Sequence, residues 1–170
     1  FWIGHNKHDE VASKRLIGQA DTVFCEWMLG NAVWYGKHKR EEQKLVGRLH
    51  LQEIDHALFP KIPFEKFETV IFVGPHILRQ GIAKNTALKK NGVVIYNGVD
   101  VEALQSVPRK PTNGKVLGFV GIVPQRKRFD LALDILRELR KDDSDYILRI
   151  KGKRPEDFPW MASRPEEMAW

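Results

Sequence analysis

Six short apolar runs punctuate the chain, each bounded by polar or turn residues: Thr22 to Cys25, Leu45 to Leu49, Thr69 to Val73, Val93 to Tyr96, Val116 to Val120 and Tyr146 to Ile150. Valine, isoleucine and phenylalanine dominate them, and several are continuously apolar instead of alternating. Runs of that kind predict strands buried on both faces of a parallel sheet. Between them lie stretches with helical spacing. The clearest covers Asp130 to Lys141, where Ala132, Ile135, Leu136 and Leu139 recur at steps of three and four and form one apolar stripe. Asp130 is placed to cap or charge the start of that helix, and Arg137, Arg140 and Lys141 suit the negative end of its dipole. Strand alternating with helix predicts an α/β fold with right-handed crossovers.

The pattern breaks between Asn97 and Gly114. Asn97-Gly98-Val99-Asp100 reads as a turn, and Pro108 to Gly114 as a loop containing two prolines and two cations. The sequence thus predicts two lobes, 1–107 and 115–170, joined by a linker over 108–114. The stretch from Pro155 to Trp170 reads as a loop and an unfinished helix. There is no internal repeat and no low-complexity tract.

The 170 residues, 42% hydrophobic and 29% charged, are ordinary for a globular protein and exclude the disordered, collagenous and disulfide-scaffold classes. No apolar run approaches the roughly 18 residues that a spanning helix needs. Cys25 is the single cysteine, which suits a reducing cytosol, and its place inside an apolar run reads as a small buried hydrophobe. The chain starts at Phe1 with nothing resembling a signal peptide after it, so it is expected to begin inside a longer protein. Charge is uneven within the net +6: residues 109–154 hold 13 basic and 6 acidic side chains, against 14 and 12 in residues 1–108. Such a bias suggests a phosphate-bearing partner, whether nucleotide, nucleic acid or lipid headgroup. A solvated lysine-rich surface gives the same count, so charge alone does not choose.

The segment richest in chemical content is Val116 to Ile150. A strand ending in Gly118-Phe119-Val120-Gly121 runs through Ile122 to Gln125 into Arg126-Lys127-Arg128, and the amphipathic helix follows. Ligands of open α/β sheets bind beyond the carboxyl ends of strands, and helix N-termini there favour anions. Three consecutive cations match a diphosphate, and Gly121, lacking Cβ, permits close approach of backbone to ligand. Neither a Walker loop nor a G-x-G-x-x-G fingerprint is present.

Strand, Gly121, a proline-containing loop, Arg126-Lys127 and Asp130-Leu131-Ala132-Leu133 together resemble the C-domain opening of the family-4 (group 1) glycosyltransferases. Val94 to Asp100 resembles the N-G-V-D signature at that family's domain junction. Arg48-Leu49-His50-Leu51-Gln52-Glu53 is similar to the R-x-H-x-x-E that follows an N-domain strand, and Thr69 to His76 to the next strand and its turn. The resemblance implies a GT-B architecture of two Rossmann-like lobes, both incomplete in this chain, which alone is then inactive. It also implies a glycosyltransferase that moves a sugar from a nucleotide-sugar donor to a saccharide or lipid-linked acceptor with retention. Lys127, with Arg126 beside it, would contact the donor diphosphate, and Gly121 would lie under the nucleotide-sugar. His50 would be the catalytic residue near the transferring sugar, with Arg48 and Glu53 as cleft residues. Neither cofactor nor metal is implied; the reaction would be cytoplasmic, including the inner face of the membrane. The chain departs from the family at Ile122, where arginine is frequent, and no two glutamates after Gly121 have the family's spacing.

All six histidines fall in the first lobe. His5, His8 and Asp9 hint at a metal, but no second ligand cluster accompanies them, and surface histidines are the simpler reading. His50 stands apart because it follows an apolar strand. Glu53 also reads as a dipole-matched opener of the next helix, and Trp27, Trp34 and Tyr35 as core or cleft wall. Two alternatives stay open: another GT-B nucleotide-sugar enzyme such as an epimerase, and a basic nucleic-acid-binding module. The latter lacks interleaved aromatics, a helix-turn-helix or a zinc motif, so no nucleic acid is expected as partner.

Overall fold

The computed structural model describes residues 2–3, 7–108, 111 and 113–168. Phe1, His5, Trp170 and the linker residues Arg109, Lys110 and Thr112 lie outside the described residues. The chain divides into two compact units, Phe1–Asp100 and Val101–Trp170. The division falls directly after the Asn97–Asp100 turn, ahead of the loop at 108–114, because the short helix at Val101–Ser106 groups with the second unit.

In the first unit, β1 (Trp2–Ile3) and β2 (Lys7–His8) pair antiparallel. Helix α1 (Glu10–Gln19) follows, capped by Asp9, whose carboxylate accepts the Ala12 N–H at 2.9 Å. Then come β3 (Thr22–Glu26), α2 (Gly30–His38), β4 (Lys44–Leu49), α3 (Leu51–Ile54), β5 (Thr69–Phe72), α4 (Pro75–Lys84), α5 (Leu88–Asn91) and β6 (Gly92–Val94). The four strands β3 to β6 form one parallel sheet in sequential order. Each predicted run in this unit became a strand, but β6 ends early. The Ile95 N–H takes the carbonyl of Phe72, the last residue of β5, and beyond it Tyr96 stands exposed.

The expectation of strands buried on both faces needs correction. Along β4 the buried residues are Leu45, Gly47 and Leu49, and along β5 Val70 and Phe72, so burial alternates and one face carries the core. There Cys25, Leu45, Leu49, Val70 and Phe72 pack with Ala32, Ile54, Phe64, Ile77 and Leu88 from the helices and turns. On the other face Phe24 and Val93 remain exposed and Val46 and Ile71 half-covered. A run of apolar side chains reports compatibility with burial, not which layer is present to bury it.

The second unit holds α6 (Val101–Ser106), β7 (Val116–Val120), a 3₁₀ turn at Gln125–Lys127, α7 (Phe129–Asp142), β8 (Ile147–Lys151) and, after two further turns, α8 (Pro165–Met168). β7 and β8 pair in parallel, with α7 as the crossover. Of the stripe that the spacing predicts along α7, Ala132, Leu136 and Leu139 are half-buried while Ile135 stays 48% exposed, and the Phe119 and Phe129 rings meet at 5.5 Å. No residue of α7 is fully buried. The helix begins at Phe129 after Arg128, which adopts a left-handed conformation, so Asp130 is its second residue and not its cap.

Candidate functional site

In the first unit, the carboxyl ends of β3 and β4 meet at His50 and Arg48, and the segment after β6 joins them at Arg48. His50 follows Leu49 directly and caps α3, and it is half-buried. Its Nε2 lies 2.7 Å from Glu26 Oε1. An ionised carboxylate only accepts, so in that pairing Nε2 carries the proton. Strand register sets this up: Glu26 is the Cα partner of Arg48, and the Arg48 guanidinium lies 3.6 Å from the other Glu26 oxygen. Arg48 also donates to Asn97 Oδ1, 49 residues away. The indole of Trp27 stacks on the His50 imidazole with centroids 4.1 Å apart and planes 15° from parallel.

Glu53 lies beneath this cluster. Its Oε1 accepts the His50 N–H at 3.2 Å, which closes the short turn from β4 into α3, and its side chain is 1% exposed. Oε2 is buried without a hydrogen-bond partner among the described residues. Burial raises the Glu53 carboxyl above its ordinary range, opposed by the N–H groups of His50, Glu53 and Met28 and by the His50 charge. The structure therefore brings His50, Arg48 and Glu53 together and adds Glu26, Trp27 and Asn97. Sequence reasoning passed over Glu26, although it stands at the end of an apolar run, as His50 does.

In the second unit, Gly121 has φ +77° and its N–H donates to the Lys151 carbonyl at 2.7 Å. A side chain would be strained at that angle, which explains glycine. Gly152, unremarked in the sequence, closes the other side: a Cβ there would lie 3.2 Å from Gly121 Cα and 3.4 Å from the Gly121 and Ile122 nitrogens. Lys127 reaches over this floor, its Cε 4.0 Å from where a Gly121 Cβ would be. The three cations divide. Arg128 is bound to Asp130 through contacts of 3.0 to 3.2 Å, which lowers the Asp130 carboxyl, whereas Arg126 and Lys127 are exposed and make no ion pair among the described residues.

Charge is polarised across this small sheet. At its amino edge Lys115 pairs with Asp143 at 2.5 Å and Asp145 at 3.2 Å. At its carboxyl side Arg126 and Lys127 follow β7, and Lys151, Lys153 and Arg154 end or follow β8; none makes a side-chain ion pair among the described residues, although the Asp157 carboxylate accepts the Arg154 N–H at 3.0 Å. That is an arrangement an anion would neutralise.

His8 and Asp9, the described members of the other candidate cluster, have structural partners. Asp9 caps α1, and His8 Nε2 is 2.9 Å from the buried Ser13 hydroxyl. Among the described residues no group of three or more His, Cys, Asp or Glu could hold a metal ion, and no helix is long and apolar enough to cross a membrane. Cys25 is buried in β3, which pushes its thiol up to about 12. Searches against protein-family models and against curated proteins find no match to the chain.

Proposed function

We propose that the chain forms part of a glycosyltransferase that moves a sugar from a nucleotide-sugar donor to a saccharide or lipid-linked acceptor, with retention. The observation that carries this reading is the cationic edge at Gly121 and Gly152, where Arg126 and Lys127 make no ion pair among the described residues. It offers backbone approach and positive charge where a nucleoside diphosphate leaving group develops charge in the transition state. Lys127 and Arg126 serve the diphosphate. In the first unit His50, with Arg48 and Glu53 around it, serves a sugar, and in the second the cations do the neutralising that a metal would otherwise do.

The test is calorimetric titration of the protein with UDP, GDP and ADP, followed by incubation with the corresponding labelled nucleotide-hexoses and saccharide acceptors. Binding of at least one diphosphate is expected. Lys127→Ala should weaken it by tenfold or more, because a charge-assisted hydrogen bond is worth about 1.5–3 kcal/mol. In the full-length enzyme His50→Ala should lower turnover while the melting temperature changes little. Product analysis with the labelled donor separates transfer from epimerisation. Absence of nucleotide binding, together with tight and strongly salt-dependent binding of RNA or DNA, would refute the reading.

A further inference from the structure

Trp27 occupies a place that the fold does not explain. Its φ of +56° is left-handed, and among the described residues Arg128 is the one other non-glycine residue with positive φ. Such a conformation costs free energy in any residue with a Cβ and concentrates at functional positions. The backbone is fixed on both sides of it: the Asn31 side chain donates to the Glu26 carbonyl at 3.0 Å and accepts the Leu29 N–H at 2.9 Å. The turn sends Met28 into the core, fully buried, and leaves Trp27 40% exposed at the sheet's carboxyl edge. One indole face lies on His50, which leaves the opposite face and the rim to meet a ligand. Beside it the Glu26 carboxylate is held between His50 and Arg48, and Arg48 is tied to Asn97.

We propose that Trp27, Glu26 and Arg48 form a subsite for a hexopyranose ring, which rests on the reading of His50 as the sugar-side residue. The indole face, negative at its centre, stacks on the C–H face of the pyranose, which is apolar and weakly positive. The hydroxyls on the ring's rim present donors and acceptors in pairs. A carboxylate that accepts from two and a guanidinium that donates to two fit adjacent hydroxyls, and both are already oriented by partners. The left-handed backbone at Trp27 is what turns the indole towards this edge instead of into the core.

The experiment titrates the protein with methyl glucosides, galactosides and mannosides and with N-acetylglucosamine, read by saturation-transfer NMR and tryptophan fluorescence. Wild type should bind at least one of them. Trp27→Phe should keep that binding, whereas Trp27→Ala and Trp27→Gly should lose about tenfold or more. Trp27→Gly should melt no lower than Trp27→Ala, since glycine accepts the left-handed φ. Glu26→Ala, a change at a half-exposed side chain, tests the polar half should either Trp27 variant fail to keep the wild-type circular dichroism. Unchanged affinity in the folded variants would overturn the proposal, as would a folded protein that binds none of the hexosides. Hexoside binding that depends on Trp27 in a protein that ignores nucleoside diphosphates would leave this subsite standing and remove the transferase reading.

Discussion

Gly47 lies in the middle of the first sheet, paired with Cys25 of β3 and Val70 of β5. Replacing it by alanine would place a Cβ 2.2 Å from Met28 Sδ, 2.5 Å from its Cε and 2.9 Å from its Cγ. Met28 is fully buried and has no solvent to retreat into. Alanine in an unobstructed strand gains about 0.5–1 kcal/mol over glycine, chiefly by restricting the unfolded chain. Overpacking costs about 1–3 kcal/mol. The net expectation for Gly47→Ala is a loss centred at roughly 1 kcal/mol and at most about 2.5 kcal/mol. Met28→Ala is itself destabilising by about 2–5 kcal/mol through the cavity it leaves, but it removes the obstruction. In that background Gly47→Ala should recover its roughly 0.5–1 kcal/mol, so the double-mutant cycle gives a coupling of roughly 1.5–3 kcal/mol. Cys25 supplies a local assay. It is the single cysteine, 1% exposed, with its thiol pushed up to about 12, so the folded unit resists alkylation. Labelling it as a function of urea measures opening of this unit without mixing in the second one. Gly47→Ala with wild-type or greater stability, or the same change in both backgrounds, would refute the packing argument.

Two further predictions concern charge. The raised Glu53 carboxyl means that the folded state holds its proton more tightly than the unfolded chain does; the group costs nothing below its ordinary value of 4.5 and costs progressively more as pH rises through and above it. The stability of Glu53→Gln relative to wild type should therefore improve between about pH 4 and pH 7, and a constant difference in melting temperature across that window would contradict the burial argument. Arg128→Gly gives up an exposed ion pair with Asp130 but relieves a left-handed residue, so melting temperature should hold or rise while nucleoside diphosphate affinity stays within about twofold; a tenfold loss of affinity would show that Arg128 contacts the ligand.

The strands and the long helix were legible in the sequence because they answer to local periodicity. Leu45, Leu49, Val70 and Phe72 are apolar where a strand must bury them, and Ala132, Ile135, Leu136 and Leu139 recur at the helical step whatever the rest of the chain does. His50 and Gly121 were legible for a related reason, since a polar residue or glycine just past an apolar run falls at a strand's carboxyl end. The cluster around His50 was not. Glu26 joins it through a register that pairs Glu26 with Arg48 and through a 2.7 Å contact spanning 24 residues, and Asn97 enters from beyond β6. Nor does any sequence pattern say that Gly152 abuts Gly121, that Asp130 takes Arg128 out of the cationic triplet, or that Trp27 is turned outward while Met28 goes in. Periodicity specifies which side chains tolerate burial. Register, turn geometry and the pairing of charges are settled by neighbours distant in the chain, so the strands can be read one by one, while the site where their ends meet exists only in the folded molecule.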